Sequence, residues 1–261
     1  MTPFVAPTIK NFDFQQQNFL CIEYSGFQLS FAFFQKGVCV AYEEKLLTEQ
    51  GSEYFLPLLE KIFLPSLASQ NNGLAISVGP GSFTALRISL ASCYALAQAH
   101  SWPVFGVNSL EVLLWSFLNP EKEQEFLPSF WSFPKRVACL IKAYQNEFFV
   151  AIFQIHPPTG GKFPLSYSPV VHPQALSLDQ TLKKLQPNDL LVGSGVEVLF
   201  SSASDWLKQE KIDPTPKWIH PNAKGVGFYW LNRGQAVEKE NLPQPLYLTP
   251  TYAEKIHPQP N

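Results

Sequence analysis

A chain of 261 residues, 46% of them apolar and 15% charged, has enough material for one large domain or two lobes around a sizeable core. A formal net charge of -2, a pI near 6.2 and the lack of any Lys/Arg-rich run exclude the basic footprint of an autonomous nucleic-acid binder. No apolar run reaches the length of a membrane span and the first residues lack the pattern of a signal peptide, so the expectation is a cytoplasmic protein without a membrane partner.

Residues 1–18 mix Pro, Gln and Asn with scattered aromatics and no periodicity, which predicts an N-terminal arm outside the fold. A first lobe, 19–118, opens with three strands at Phe19–Glu23, Phe27–Phe34 and Val38–Leu47, the last two joined by a tight turn at Gln35-Lys36-Gly37. Ser52 is read as the cap of a helix to about Leu64, where Pro65 stops it. Leu74–Val78 is a short apolar strand that ends in Gly79-Pro80-Gly81, and Ser82 caps a helix to about His100. Val104–Val107 is a further strand, and Ser109 is read as the cap of a helix to about Leu118. The order β-β-β-α-β-α-β-α is the plan of one lobe of the actin-like, ribonuclease-H-like α/β folds.

Residues 119–134, with three prolines and an acidic patch, read as a connector. A second, divergent lobe at 135–240 follows the same plan: strands at Val137–Ile141 and Phe148–Ile155 paired across Lys142–Glu147, a strand near Tyr167–Val171, and Leu190–Gly193 leading through Ser194-Gly195 into a helix over Val196–Glu210. The last helix falls within Ala223–Glu240 and can pack back on the first lobe; the proline-rich 241–261 is an extended tail. Cys21, Cys39, Cys93 and Cys139 sit singly in apolar segments, and the five histidines are scattered, so no metal-ligand spacing is present.

The segment richest in chemistry is strand, Gly79-Pro80-Gly81, Ser82, helix. Unpaired amides and the positive helix end make such a turn a place for an anion, although chain geometry alone also demands glycines there. Gly79-Pro80-Gly81-Ser82-Phe83-Thr84-Ala85-Leu86-Arg87, then a small-residue helix and Pro103-Val104-Phe105-Gly106-Val107-Asn108-Ser109-Leu110, closely resembles the GPGSFTGxR signature and following strand of the TsaB (YeaZ) family; Ala85 stands at the usual glycine. Looser matches are the three-strand start, Val192-Gly193-Ser194-Gly195 and Pro245-Leu246-Tyr247-Leu248.

The resemblance implies a two-lobed actin-like fold of the ASKHA type and a non-catalytic subunit. That subunit pairs with its paralog TsaD, associates further with the ATPase TsaE, and forms a homodimer when alone. The complex makes N6-threonylcarbamoyladenosine in tRNA. It also implies that ATP and metal sit on the partners, that this chain needs no cofactor, and that tRNA is met only through the complex. Departures from the family pattern are Glu23-Tyr24-Ser25-Gly26 in place of an Asp-Thr-Ser-like start, Lys142-Ala143-Tyr144-Gln145-Asn146-Glu147 in place of Asp-Ala-Arg-x-x-Glu, and Thr249 where arginine is common.

The loop residues Glu23, Gly79, Gly81, Ser82 and Arg87 are therefore expected to form a structural turn or a vestigial anion site, with Gly81 held in a conformation other residues resist. Bulky Tyr24 is expected to crowd the first turn. Apolar residues cover about 200° of the helix from Ser52, more than one sheet contact needs, and the helix from Phe83 carries a second stripe of small residues. Tyr54, Leu58, Ile62, Ile88, Ala91 and Ala95 are on this basis the expected partner interface. The competing readings are an actin-like ATP-binding enzyme and a glycoprotease-like peptidase.

Overall fold

The structure is a computed structural model, and it describes residues 11–47, 51–67, 72–118, 135–143, 147–156, 166–212, 219–237 and 242–249. The expected connector, the centre of the second-lobe hairpin turn, residues 1–10 and most of the tail lie outside these.

After a short strand, β1 (Asn11–Asp13), come β2 (Asn18–Glu23), β3 (Gln28–Gln35) and β4 (Val38–Leu46), an antiparallel meander. Lys36 and Gly37, both at positive φ, turn β3 into β4, a pairing of angles that matches the twist of a two-residue hairpin. A 3-10 turn at Ser52–Tyr54 leads into α1 (Phe55–Leu67), followed by β5 (Asn72–Ser77), α2 (Phe83–His100), β6 (Val104–Val107) and α3 (Ser109–Leu118). Helix α1 runs past Pro65, which lies in its last turn and there removes one amide without ending the helix. The first sheet has the order β4-β3-β2-β5-β6, with β5 parallel to β2 and β6 parallel to β5.

The second sheet comprises β7 (Lys135–Lys142), β8 (Glu147–His156), β9 (Ser166–Ser177) and β10 (Leu190–Val192) in the order β10-β7-β8-β9. It is again an antiparallel meander with the next strand parallel to the first, a truncated copy of the first sheet. Ser177 and Gln180 form a capping box on the short α4 (Leu178–Leu182), an element the sequence reading passes over. Helix α5 (Gly195–Gln209), bent at Ala203, and α6 (Ala223–Arg233), ended by Gly234, complete the helices; β11 (Gln235–Val237) follows.

Side-chain alternation explains the layering. On β2, Leu20 and Ile22 face α1 and α2 in one core cluster, while Phe19 and Cys21 face a second cluster that includes α3 and α6. That second cluster continues through Val137, Cys139, Phe149 and Phe153 of the other sheet, so α3 and α6 form a central layer with a sheet on either side. Ala138, Leu140, Val150 and Ile152 point away from it, toward α4 and α5. The result is helix, sheet, helix, sheet, helix.

Part of the segment read as an arm belongs to the fold: β1 pairs with β11, and Phe12 and Phe14 are buried among Phe19, Phe105 and Trp230. Three residues are too few to show a strand's period, but two phenylalanines offer more apolar surface than water tolerates cheaply.

Candidate functional site: the paired turns and the outer face of helix α2

Strands β2 and β5 are parallel neighbours, so the turns that follow them emerge side by side. Glu23 ends β2 and is 1% exposed. Its Oε1 accepts from the amide of Ser25 at 2.8 Å and from the Ser25 hydroxyl, while Oε2 is buried without a hydrogen bond of good geometry. Burial pushes the carboxyl up from its ordinary 4.5, against the opposing effect of the Ser25 hydroxyl, the nearby Ser77 hydroxyl and the Ser25 amide. Ser77, at the end of β5, shares a hydrogen bond of 2.7 Å with Ser109 Oγ. Tyr24 does not crowd this turn: its ring is buried in the core beneath α1, 6.3 Å from Phe55.

The second turn lies directly against the first. Ser82 donates its amide to the Ser25 carbonyl at 2.7 Å, and a Cβ on Gly81 would fall inside that carbonyl oxygen. Gly81 is therefore required by close approach, whereas positive φ, the role expected of Gly81, belongs to Gly79 at +103°. The Gly79–Pro80 peptide is cis, and the Gly79 carbonyl accepts from Ser109 N–H at 2.7 Å. Ser82 caps α2 through a long bond of 3.4 Å from Ala85 N–H. Ser109 does not cap α3; Asn108 Oδ1 accepts from Leu110 N–H at 2.8 Å, and Ser109 points to Ser77. The two turns are thus in direct backbone contact through Ser25 and Gly81-Ser82.

The expected interface residues divide. Leu58 and Ile62, 7% and 2% exposed, are core residues under the first sheet and are removed from the candidate surface. Spreading apolar residues widely around a helix did not mean that all of them face outward, because Phe55, Leu58, Leu59 and Ile62 are all needed to cover β3 and β4. Tyr54 at 37% and Leu56 at 69% are exposed, as are Ala91 and Ala95; Ile88 is half-buried. On α2 the buried stripe is Ala85, Leu86, Ser89, Leu90, Cys93 and Ala97, so the small residues Ala91, Ala95 and Ala99 lie on the outer face.

Beside that face runs an open groove of about 390 Å³, lined by Arg87, Leu90, Ala91, Tyr94, Pro245 and Tyr247. Arg87 lies over the Phe83 ring at 3.6 Å, and Phe83 meets Tyr247 at 5.0 Å. The tail residues of this groove escape a reading by helix wheel; their only sequence signal is the Pro245-Leu246-Tyr247-Leu248 match. Among the described residues, no group of three or more His, Cys, Asp and Glu stands close enough to share a metal ion.

The repeated meander-plus-parallel-strand sheets around a shared helical layer define the class: a two-lobed α/β protein of the actin-like, ribonuclease-H-like type. Within that class the chain is similar to the TsaB (YeaZ) proteins. It is 24% identical over 217 residues, 79% of this chain and 90% of the other, to the tRNA threonylcarbamoyladenosine biosynthesis protein TsaB of Buchnera aphidicola subsp. Schizaphis graminum. Residues 48–159 match the family model described as TsaD, tRNA N6-adenosine threonylcarbamoyltransferase. The fold is that of YeaZ from Pseudomonas aeruginosa, at 21% identity, with a TM-score of 0.58 over 89% of this chain and 100% of that one. A crystal structure of a Pseudomonas aeruginosa protein with similarity to peptidase YeaZ gives 0.60 at 20% identity, over 90% and 100%.

Proposed function

We propose that this chain is a non-catalytic subunit of a cytoplasmic complex that forms N6-threonylcarbamoyladenosine in tRNA, and that it acts by holding and activating a TsaD-type subunit. Similarity to TsaB along most of the chain supports a place in that pathway, and the match to the TsaD model supports kinship with the proposed partner. The observation that carries the scaffolding role is the outer face of α2: exposed Ala91 and Ala95 beside an apolar groove. Small side chains let a partner helix approach closely, and the neighbouring apolar surface supplies area to bury.

The paired turns support the non-catalytic half of the reading. Glu23 is buried and bonded to Ser25, and Gly81 lies on the Ser25 carbonyl, so the polar groups of these turns are engaged within the protein. Ser82 uses its hydroxyl to cap α2. ATP, any metal and the contacts to tRNA accordingly belong to the partner subunits, TsaE among them, and the same helix face mediates self-association when the partner is absent.

The test is co-purification of the chain with the TsaD protein of its own host. Wild type should be retained, while Ala91→Glu and Ala95→Glu should stay folded and lose the partner, since both sites are exposed. Retention of TsaD by both variants, or threonylcarbamoyl transfer by the isolated chain, would defeat the proposal.

A further inference from the structure

The segment Leu242–Leu248 follows no helix or strand, yet it touches both features described above. On one side, Pro245 and Tyr247 build the far wall of the groove on α2. On the other, Leu246 donates its amide to the Val78 carbonyl at 2.7 Å, immediately before the Gly79–Ser82 turn. Its own carbonyl oxygen lies 2.8 Å from where a Cβ on Gly79 would stand, and Pro243 packs over Gly106 in the same way at 2.7 Å.

We propose that Leu242–Leu248 is a releasable strap that couples the groove on α2 to the paired turns at Glu23–Gly26 and Gly79–Ser82.

Two properties make the strap releasable. Pro243 and Pro245 have no N–H, so the segment cannot zip onto the sheet as another strand. Its hydrogen bonds to the rest of the protein, among the described residues, are Leu246 N–H to Val78 and the Tyr94 hydroxyl to the Pro243 carbonyl. Tyr247, resting on Phe83, is 38% exposed. Segments held by so few bonds and partly exposed contacts open at the low end of the stability range.

The path from strap to turn is continuous contact. Strap residue Leu246 sits on Val78 and Gly79; the Gly79 carbonyl holds Ser109, whose hydroxyl pairs with Ser77; Gly81 and Ser82 press on Ser25, which binds Glu23. The bistable element is the strap itself, on or off, and a body occupying the groove acts on Pro245 and Tyr247 directly.

Hydrogen exchange on the full chain tests this, read at the amides of Ser25, Ser82 and Ser109. Leu246→Pro removes the bond to Val78 and should speed all three by roughly ten-fold while β2 and β5 keep their protection. Tyr94→Phe, a milder change at the other bond, should move the same amides in the same direction. Ala91→Trp, which fills the groove and pushes on the strap from the other side, should also do so. If the three amides stay at wild-type rates in these variants, the turns hold themselves and the strap is not coupled to them. If β2 and β5 lose protection equally, the segment is part of the core and is not releasable.

Discussion

Glu23 is a buried carboxyl whose pKa burial raises. Its folded pKa lies above the unfolded value, so the folded state binds this proton more tightly. The stabilising contribution is fully present below the ordinary 4.5 and is lost as pH rises through the folded value. Glu23→Gln, a neutral isostere, keeps the Ser25 bonds without the titration, so it should match wild type at low pH and become the more stable of the two as pH increases. Urea midpoints measured from about pH 4 to pH 8 check this; a wild type that gains on the variant with rising pH would mean an ionised, well-solvated carboxylate. The neighbouring turn yields a contrast of kind. Gly81→Ala drives a methyl group into the Ser25 carbonyl and should cost about 2–3 kcal/mol, whereas Ser82→Ala, losing a cap bond of 3.4 Å, should cost only about 0.5–1 kcal/mol. Chemical denaturation separates the two.

Between elements, polar contacts set register where apolar ones cannot. Arg136 on β7 meets Asp189 at 2.9 Å and donates to the Lys184 carbonyl at 3.1 Å, while Asp189 also accepts from Gln186 N–H at 2.9 Å. The ion pair thereby fastens the chain leaving α4 to the edge at which β10 pairs. Arg136→Ala leaves Asp189 buried without its cation and should destabilise by about 2–4 kcal/mol; Arg136→Ala with Asp189→Asn should recover part of that loss, measured as a double-mutant cycle. Between the lobes, the Tyr167 hydroxyl donates to Glu111 Oε1 at 2.9 Å, tying β9 to α3.

At the scale of the whole molecule, the central helical layer makes the two sheets one cooperative unit. Helix α6 reaches this position because Gly225 lets it lie on Ser116 and Val112 of α3, with Ser116 Oγ accepting from Asn222 N–H at 3.0 Å. Trp115 on α3 is 1% exposed and contacts Tyr167 of the second sheet's edge. Trp115→Ala should therefore lower the stability of both lobes together by about 3–5 kcal/mol, in a single calorimetric transition. Two separated transitions would show that each sheet keeps its own core.

Local signals determined a great deal. The apolar run Phe19–Ile22, the Lys36-Gly37 turn and the strand leading into Gly79-Pro80-Gly81 each depend on residues within a few positions, so the order of elements along the chain, the two-lobed class and the family resemblance were legible in the sequence alone. Only the tertiary structure decided the rest, because it depends on which distant surfaces meet. Phe12 and Phe14 entered the core through a strand pairing more than 200 residues away in sequence, Leu58 and Ile62 turned inward to cover β3 and β4, and Ser109 gave its capping role to Asn108 in favour of Ser77. The contact that joins the paired turns, Gly81 on Ser25, arises because β2 and β5 are parallel neighbours, and one wall of the groove on α2 comes from the far end of the chain. Burial is a property of the assembled layers, and a helix wheel or a motif carries no record of what will stand opposite it.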